Sequence, residues 1–187
     1  MRLFVAVELT PGIRRAIIDF AQQGWVNWAD VKWVNPEHLH LTLKFLGEVP
    51  EKKVPRIQST LETLASTTRR FSCEVKGASR FPSLGIPRVL WVGFSRGAVE
   101  FTELAKRVNE TMKDLGFPPE ERAFSPHITV GRLRSPIKWR ELTKSWEGSV
   151  SQMFGSMTVR SIVLMKSQLT REGPVYTPIK NIELRIK

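Results

Sequence analysis

The feature that most constrains this chain is a repeat. His-Leu-Thr-Leu starts at residue 40 and His-Ile-Thr-Val at residue 127, a separation of 87 in a chain of 187 residues. Side chains alternate across a strand, so His40 and Thr42 share one face and Leu41 and Leu43 the other; His127 and Thr129 oppose Ile128 and Val130 in the same way. The offset holds elsewhere. LFVAV at 3–7 falls on LWVGF at 90–94, and both read as buried strands. Each is followed by a helical stripe. Thr10 can cap one that opens with Pro11 and carries Ile13, Ala16, Ile17 and Phe20; Phe101, Leu104, Ala105, Val108 and Met112 form the other, which ends at Gly116.

A second helix follows each histidine strand, with Val54, Ile57, Leu61 and Leu64 in one half and Trp139, Leu142 and Trp146 in the other. FSCEVKGASRF at 71–81 then corresponds to TVRSIVLMKSQ at 158–168 as the closing strand of each half, and the Pro- and Gly-rich loop 81–88 joins the halves. Pattern repeated at a fixed offset predicts two similar lobes. The expected fold is α+β: one two-lobed domain over residues 1–187, each lobe an antiparallel sheet with helices on one face. An approximate two-fold axis between the lobes would turn the polar faces of the two histidine strands toward each other across a cleft.

Composition sets the surroundings of that cleft. Lys and Arg number 29 against 18 Asp and Glu, a net charge of +11, which favours an anionic partner such as nucleic acid. The single cysteine, Cys73, can form no internal disulfide and reads as a small buried hydrophobe in a reducing compartment. The opening MRLFVAVELTPG is interrupted by Glu8 and reads as a first core strand rather than a signal peptide. No apolar run approaches the roughly 18 residues of a membrane span, so the expected location is cytoplasmic.

Two imidazoles facing one another suffice for concerted acid and base catalysis, one accepting a proton while the other donates. A phosphate ester between them would have its attacking group deprotonated on one side and its leaving oxygen protonated on the other. Thr42 and Thr129 stand where hydroxyls can bond the non-bridging oxygens. No carboxylate or cysteine is arranged around either motif as a metal site requires, and no serine or cysteine triad pattern is recognisable. His38 shares the face of His40, but its counterpart 87 residues on is Ser125, which makes it a rim residue.

The paired motifs, in the extended forms HLTLKFLGEV and FSPHITVGR, resemble those of the 2H phosphoesterase superfamily, in particular the RNA 2′,3′-cyclic phosphodiesterases also called 2′,5′ RNA ligases. The opening MRLFVAVEL and the late LTREGPVY are similar as well. The resemblance implies a two-lobed fold, no metal, ATP or other cofactor, and an RNA partner. It implies hydrolysis of an RNA 2′,3′-cyclic phosphate to a 2′-phosphate, with 2′,5′ ligation as a side activity. His40 would be the proton donor to the departing 3′ oxygen and His127 the base that activates water. The strands themselves are near equivalents and do not divide those roles. The resemblance also implies Arg132 as a phosphate contact and Phe45 as a platform for a terminal base. Both lie five residues after their histidine, where strict alternation gives the core face, so Phe45 reads equally as a core aromatic; Gly131 makes a bulge plausible beside Arg132. Tyr176 matches a family position and receives no role. An RNA-end-binding module without turnover, and an enzyme for a small cyclic phosphate, are the alternatives.

Overall fold

The computed structural model describes residues 1–22, 30–120, 122–170 and 173–186. Arg171 and Glu172 of the LTREGPVY stretch lie outside them. In chain order the elements are β1 (Arg2–Glu8), α1 (Pro11–Gln22), β2 (Val31–Trp33), β3 (His40–Glu48), α2 (Val54–Ser66), β4 (Phe71–Phe81), β5 (Val89–Arg96) and α3 (Ala98–Lys113). There follow β6 (Ile128–Leu133), α4 (Trp139–Glu147), β7 (Met153–Val159), β8 (Ser161–Leu169) and β9 (Pro174–Glu183). The four expected helices all form. Ile13, Ile17 and Phe20 bury one stripe of α1, which starts at Pro11, where a missing N–H costs nothing. Gly116 ends the α3 region at φ 86° and its N–H returns to the Lys113 carbonyl.

The strands form one curled antiparallel sheet in the order β7-β4-β5-β6-β3-β1-β8-β9, with β2 lying on β6 ahead of β3. At its centre β3 and β6 touch through a single pair, Leu41 opposite Ile128. That seam divides two four-stranded sheets of matching order, the lobes that the repeat predicts.

The lobes do not coincide with the sequence halves. Strand β4, which closes the first half in sequence, pairs with β5, whereas β8 pairs with β1. The helices cross over too: α2 and α3 cover the β3 lobe, through α2 on β9 and α3 on β3, while α1 packs on β7 and α4 on β4. Periodicity states what each segment becomes, not which copy of a duplicated surface it joins. The edge strands β7 and β9 also go unforeseen by the 87-residue offset.

Helices cover one face of the sheet, and the main core lies there, with Leu3, Val5, Leu41, Leu90, Ile128, Phe101 and Trp146 among its fully buried members. Cys73 is buried within it. The opposite face carries a much smaller apolar cluster, Phe4, Ala6, Val163 and Met165, with Tyr176 packed against it. The histidines stand on this second face.

Candidate active site

The strand seam determines the site. In antiparallel register with Leu41 opposite Ile128, His40 lies across from Thr129 and Thr42 across from His127. All four point away from the core that Leu41 and Ile128 enter. His40 and His127 are thereby diagonal neighbours, which in a regular ladder stand about 7–8 Å apart.

Each imidazole is held by the backbone. His40 Nδ1 lies 2.7 Å from the His38 carbonyl and His127 Nδ1 2.7 Å from the Ser125 carbonyl. A carbonyl only accepts, so both Nδ1 atoms carry hydrogen and both neutral rings present a basic Nε2 to the cleft. Residues 38 and 125 are themselves 87 apart. His38 therefore has a counterpart after all, in its main chain rather than its side chain.

The two rings differ beyond that. Thr42 Oγ1 lies 3.0 Å from His40 Nε2, so in this structure its hydroxyl serves the imidazole. His40 packs against Phe4 and edge-on to Tyr176, with ring centroids at 5.0 and 5.2 Å. His127 meets Phe81 edge-on at 5.0 Å and Trp91 at 6.1 Å. Burial lowers the pKa of His40, and the charges of His38, Arg14 and His127 push the same way against the opposing bond to the His38 carbonyl. Burial also lowers that of His127, with Arg132 adding to the effect and the Ser125 carbonyl opposing it.

Phe45 and Arg132 are placed by matching bulges. In β3, Leu43 and Lys44 both turn to the helices, at 3% and 2% exposure, beside a register shift against β1. The alternation is reset, and Phe45 emerges at 64% exposure with its ring 6.0 Å from Phe4. The core-aromatic reading of Phe45 is thus overturned. In β6 a shift opposite Leu90 and Trp91 buries both Val130 and Gly131 and brings Arg132 out, exposed. Lys44, inside the first bulge, donates to Asn109 Oδ1 at 2.6 Å and to the Pro118 carbonyl at 2.8 Å. Burial lowers its pKa.

One flank breaks the symmetry. Beside His40 a cavity of about 200 Å³ is walled by Glu8, Arg14, Glu37, His38 and Tyr176. Arg14 bridges Glu37 at 3.2 Å and Glu8 at 3.5 Å. At the positions 87 residues on, the second half has the uncharged Ser95, Phe101 and Phe124, so the repeat does not reproduce this ion cluster. Among the described residues no three His, Cys, Asp or Glu side chains gather as metal donors. None of the described helices is long and apolar enough to cross a membrane.

Comparison with known proteins reproduces the duplication. The family described as LigT-like phosphoesterase matches this chain twice, over residues 7–91 and 94–176, and the two matches begin 87 residues apart. The RNA 2′,3′-cyclic phosphodiesterase of Archaeoglobus fulgidus is 39% identical over 183 residues, 98% of this chain and 100% of that protein. The protein of the same name from Methanothermobacter thermautotrophicus is 34% identical, over 98% and 99%. Among solved structures, TT0787 of Thermus thermophilus superposes with a TM-score of 0.85 at 32% identity, covering 100% of both chains. E. coli LigT complexed with 3′-AMP superposes with a TM-score of 0.78 at 26% identity, over 98% of this chain and 97% of that one.

Proposed function

The chain belongs to the LigT-like phosphoesterase family, and on that footing we propose that it hydrolyses 2′,3′-cyclic phosphate ends of RNA to 2′-phosphates, with the two histidines as its acid and base. What supports this reading is the pair of imidazoles set diagonally across the β3–β6 seam, with Nδ1 of each fixed on a backbone carbonyl. His127 Nε2 takes a proton from water, the water oxygen bonds to phosphorus, the bond from phosphorus to the 3′ oxygen breaks, and His40 Nε2 protonates that oxygen. For this His40 must enter charged. A bound phosphate supplies the opposite charge that raises its depressed pKa, and Thr42 Oγ1 then accepts from Nε2–H.

Thr129 and Arg132 serve the non-bridging oxygens, with Thr42 joining them as its bond to His40 exchanges. Phe45 offers an exposed ring for a base to stack on. No step uses a metal or ATP. With an RNA 5′ hydroxyl in place of water the same sequence, His127 taking the hydroxyl proton and His40 protonating the departing 3′ oxygen, forms a 2′,5′ linkage. The chain works as one two-lobed unit in the cytoplasm, where buried Cys73, its pKa pushed up to about 11 by burial, persists as a thiol.

The test is turnover of an oligonucleotide with a 2′,3′-cyclic phosphate end in EDTA, with the product identified as 2′- or 3′-phosphate. Formation of the 2′-phosphate is expected. His40→Ala and His127→Ala are each expected to lose roughly 10² to 10⁴ in kcat with RNA affinity retained. Tight RNA binding by wild type without product would identify a binding module, and turnover restricted to mononucleotides would identify a small-molecule enzyme.

A further inference from the structure

The cations around the cleft are unevenly distributed, and the unevenness has a direction. Elsewhere on the surface several arginines and lysines are neutralised: Arg15 by Asp19, Arg70 by Glu183, Arg80 by Glu147 and Lys180 by Glu62. Beyond the histidines along β6 the cations form no such pairs, although Asp30 stands across the ladder from Arg134. Lys32, Arg132 and Arg134 are exposed and form no ion pair among the described residues. Lys32 is the direct cross-strand partner of Arg132, so both side chains leave the same face of the sheet, the one that carries Thr129. The β2 ladder extends one step further, through the Arg134 N–H to the Asp30 carbonyl, and alternation returns the Arg134 side chain to that face.

Thr129, Arg132 and Arg134 therefore form a row leading outward from the histidine pair. A two-residue step along a strand is about 6.7 Å, comparable to the separation of successive phosphates in an extended single strand. Lys32 widens the row and reaches the start of β9, where a Cβ added to Gly173 would lie 3.2 Å from its Nζ. Arg132 also acts electrostatically on Tyr176 of β9 and on His127. On the other flank of His40, Glu8 and Glu37 exceed Arg14 by one negative charge, which repels a polyanion.

We propose that Lys32 and Arg134 form a second phosphate subsite, which holds the phosphodiester next to the cyclic end and leads the RNA strand out along β6 and β2. This rests on the reading of the active site above. It makes the protein an enzyme of RNA chains rather than of free cyclic nucleotides.

The experiment compares a trinucleotide ending in a 2′,3′-cyclic phosphate with the 2′,3′-cyclic mononucleotide of the same base, for wild type, K32A/R134A and the charge-retaining K32R/R134K. The expected result for K32A/R134A is a fall of about tenfold in the ratio of trinucleotide to mononucleotide kcat/KM, through KM, with recovery in K32R/R134K. The slope of log KM for the trinucleotide against log salt should drop by about 0.7, the value for one single-strand phosphate no longer neutralised. An unchanged ratio, or equal losses on both substrates, overturns the subsite. Should wild type turn over neither substrate, the proposed function fails. The subsite is then decided by fluorescence anisotropy with the same trinucleotide, where unchanged affinity in K32A/R134A overturns it and weakened affinity supports it.

Discussion

At the scale of single residues, pH should separate the free enzyme from its complex. Both imidazoles have pKa values below the ordinary 6.5, chiefly through burial. Catalysis needs one of them charged, so kcat/KM, which reports free enzyme, is expected to peak on the acid side of 6.5 and to fall as pH rises through it. The bound phosphate raises the values, so the kcat optimum should lie higher. Steady-state profiles check this; a kcat/KM optimum at or above pH 7 would contradict the burial argument. The same depression means that the unfolded chain binds more protons than the folded one below 6.5, so the fold loses stability as pH falls and melts must accompany the acid points. The histidines and threonines were legible in the sequence because a doubled pattern on alternating positions rarely arises by chance. The carbonyls of residues 38 and 125 were not, since a main-chain acceptor leaves no mark on residue type. Nor were Phe4, Phe81, Trp91 and Tyr176, the rings around the histidines, although Phe4 and Trp91 stand 87 apart and the repeat would have paired them.

At the scale of elements, the bulges matter most. Strict alternation sends Phe45 and Arg132 to the core, and one extra residue in each strand reverses both assignments. Gly131 was the visible clue in β6. Its counterpart in β3 is Lys44, whose charge suggested no burial, and only the acceptors on Asn109 and at Pro118, 65 and 74 residues away, explain its place. Gly131 is also needed for β2 to approach: an added Cβ would fall 2.7 Å from Val31 Cγ1 and 3.1 Å from Trp33 Cε3. Gly131→Ala is expected to cost about 1–3 kcal/mol as overpacking, read by thermal or denaturant unfolding. Val31→Ala in the same chain should recover a good part of it. Full stability in Gly131→Ala alone would show that β2 yields more easily than the ladder implies.

At the scale of the whole molecule, the exchange of segments makes the halves interdependent. Each lobe takes an inner strand and a helix from the other half, with β4 beside β5 and β8 beside β1. A chain cut within loop 82–87 would leave either fragment with central strands short of neighbours and with apolar helix faces uncovered. Neither fragment alone is expected to unfold cooperatively by circular dichroism, and mixing them should restore both the transition and activity. A cooperative melt from residues 1–84 alone would refute this interdependence. The sequence shows a duplication clearly and its weaving not at all, because β4 and β8 have apolar faces that either lobe can bury.

The clamps on the imidazoles carry one more consequence. An amide oxygen is present whatever residue occupies position 38 or 125, so no point substitution there deletes the acceptor. Which ring nitrogen meets the substrate is thus fixed by chain path, and the tautomer withstands mutational drift in nearly every side chain around it.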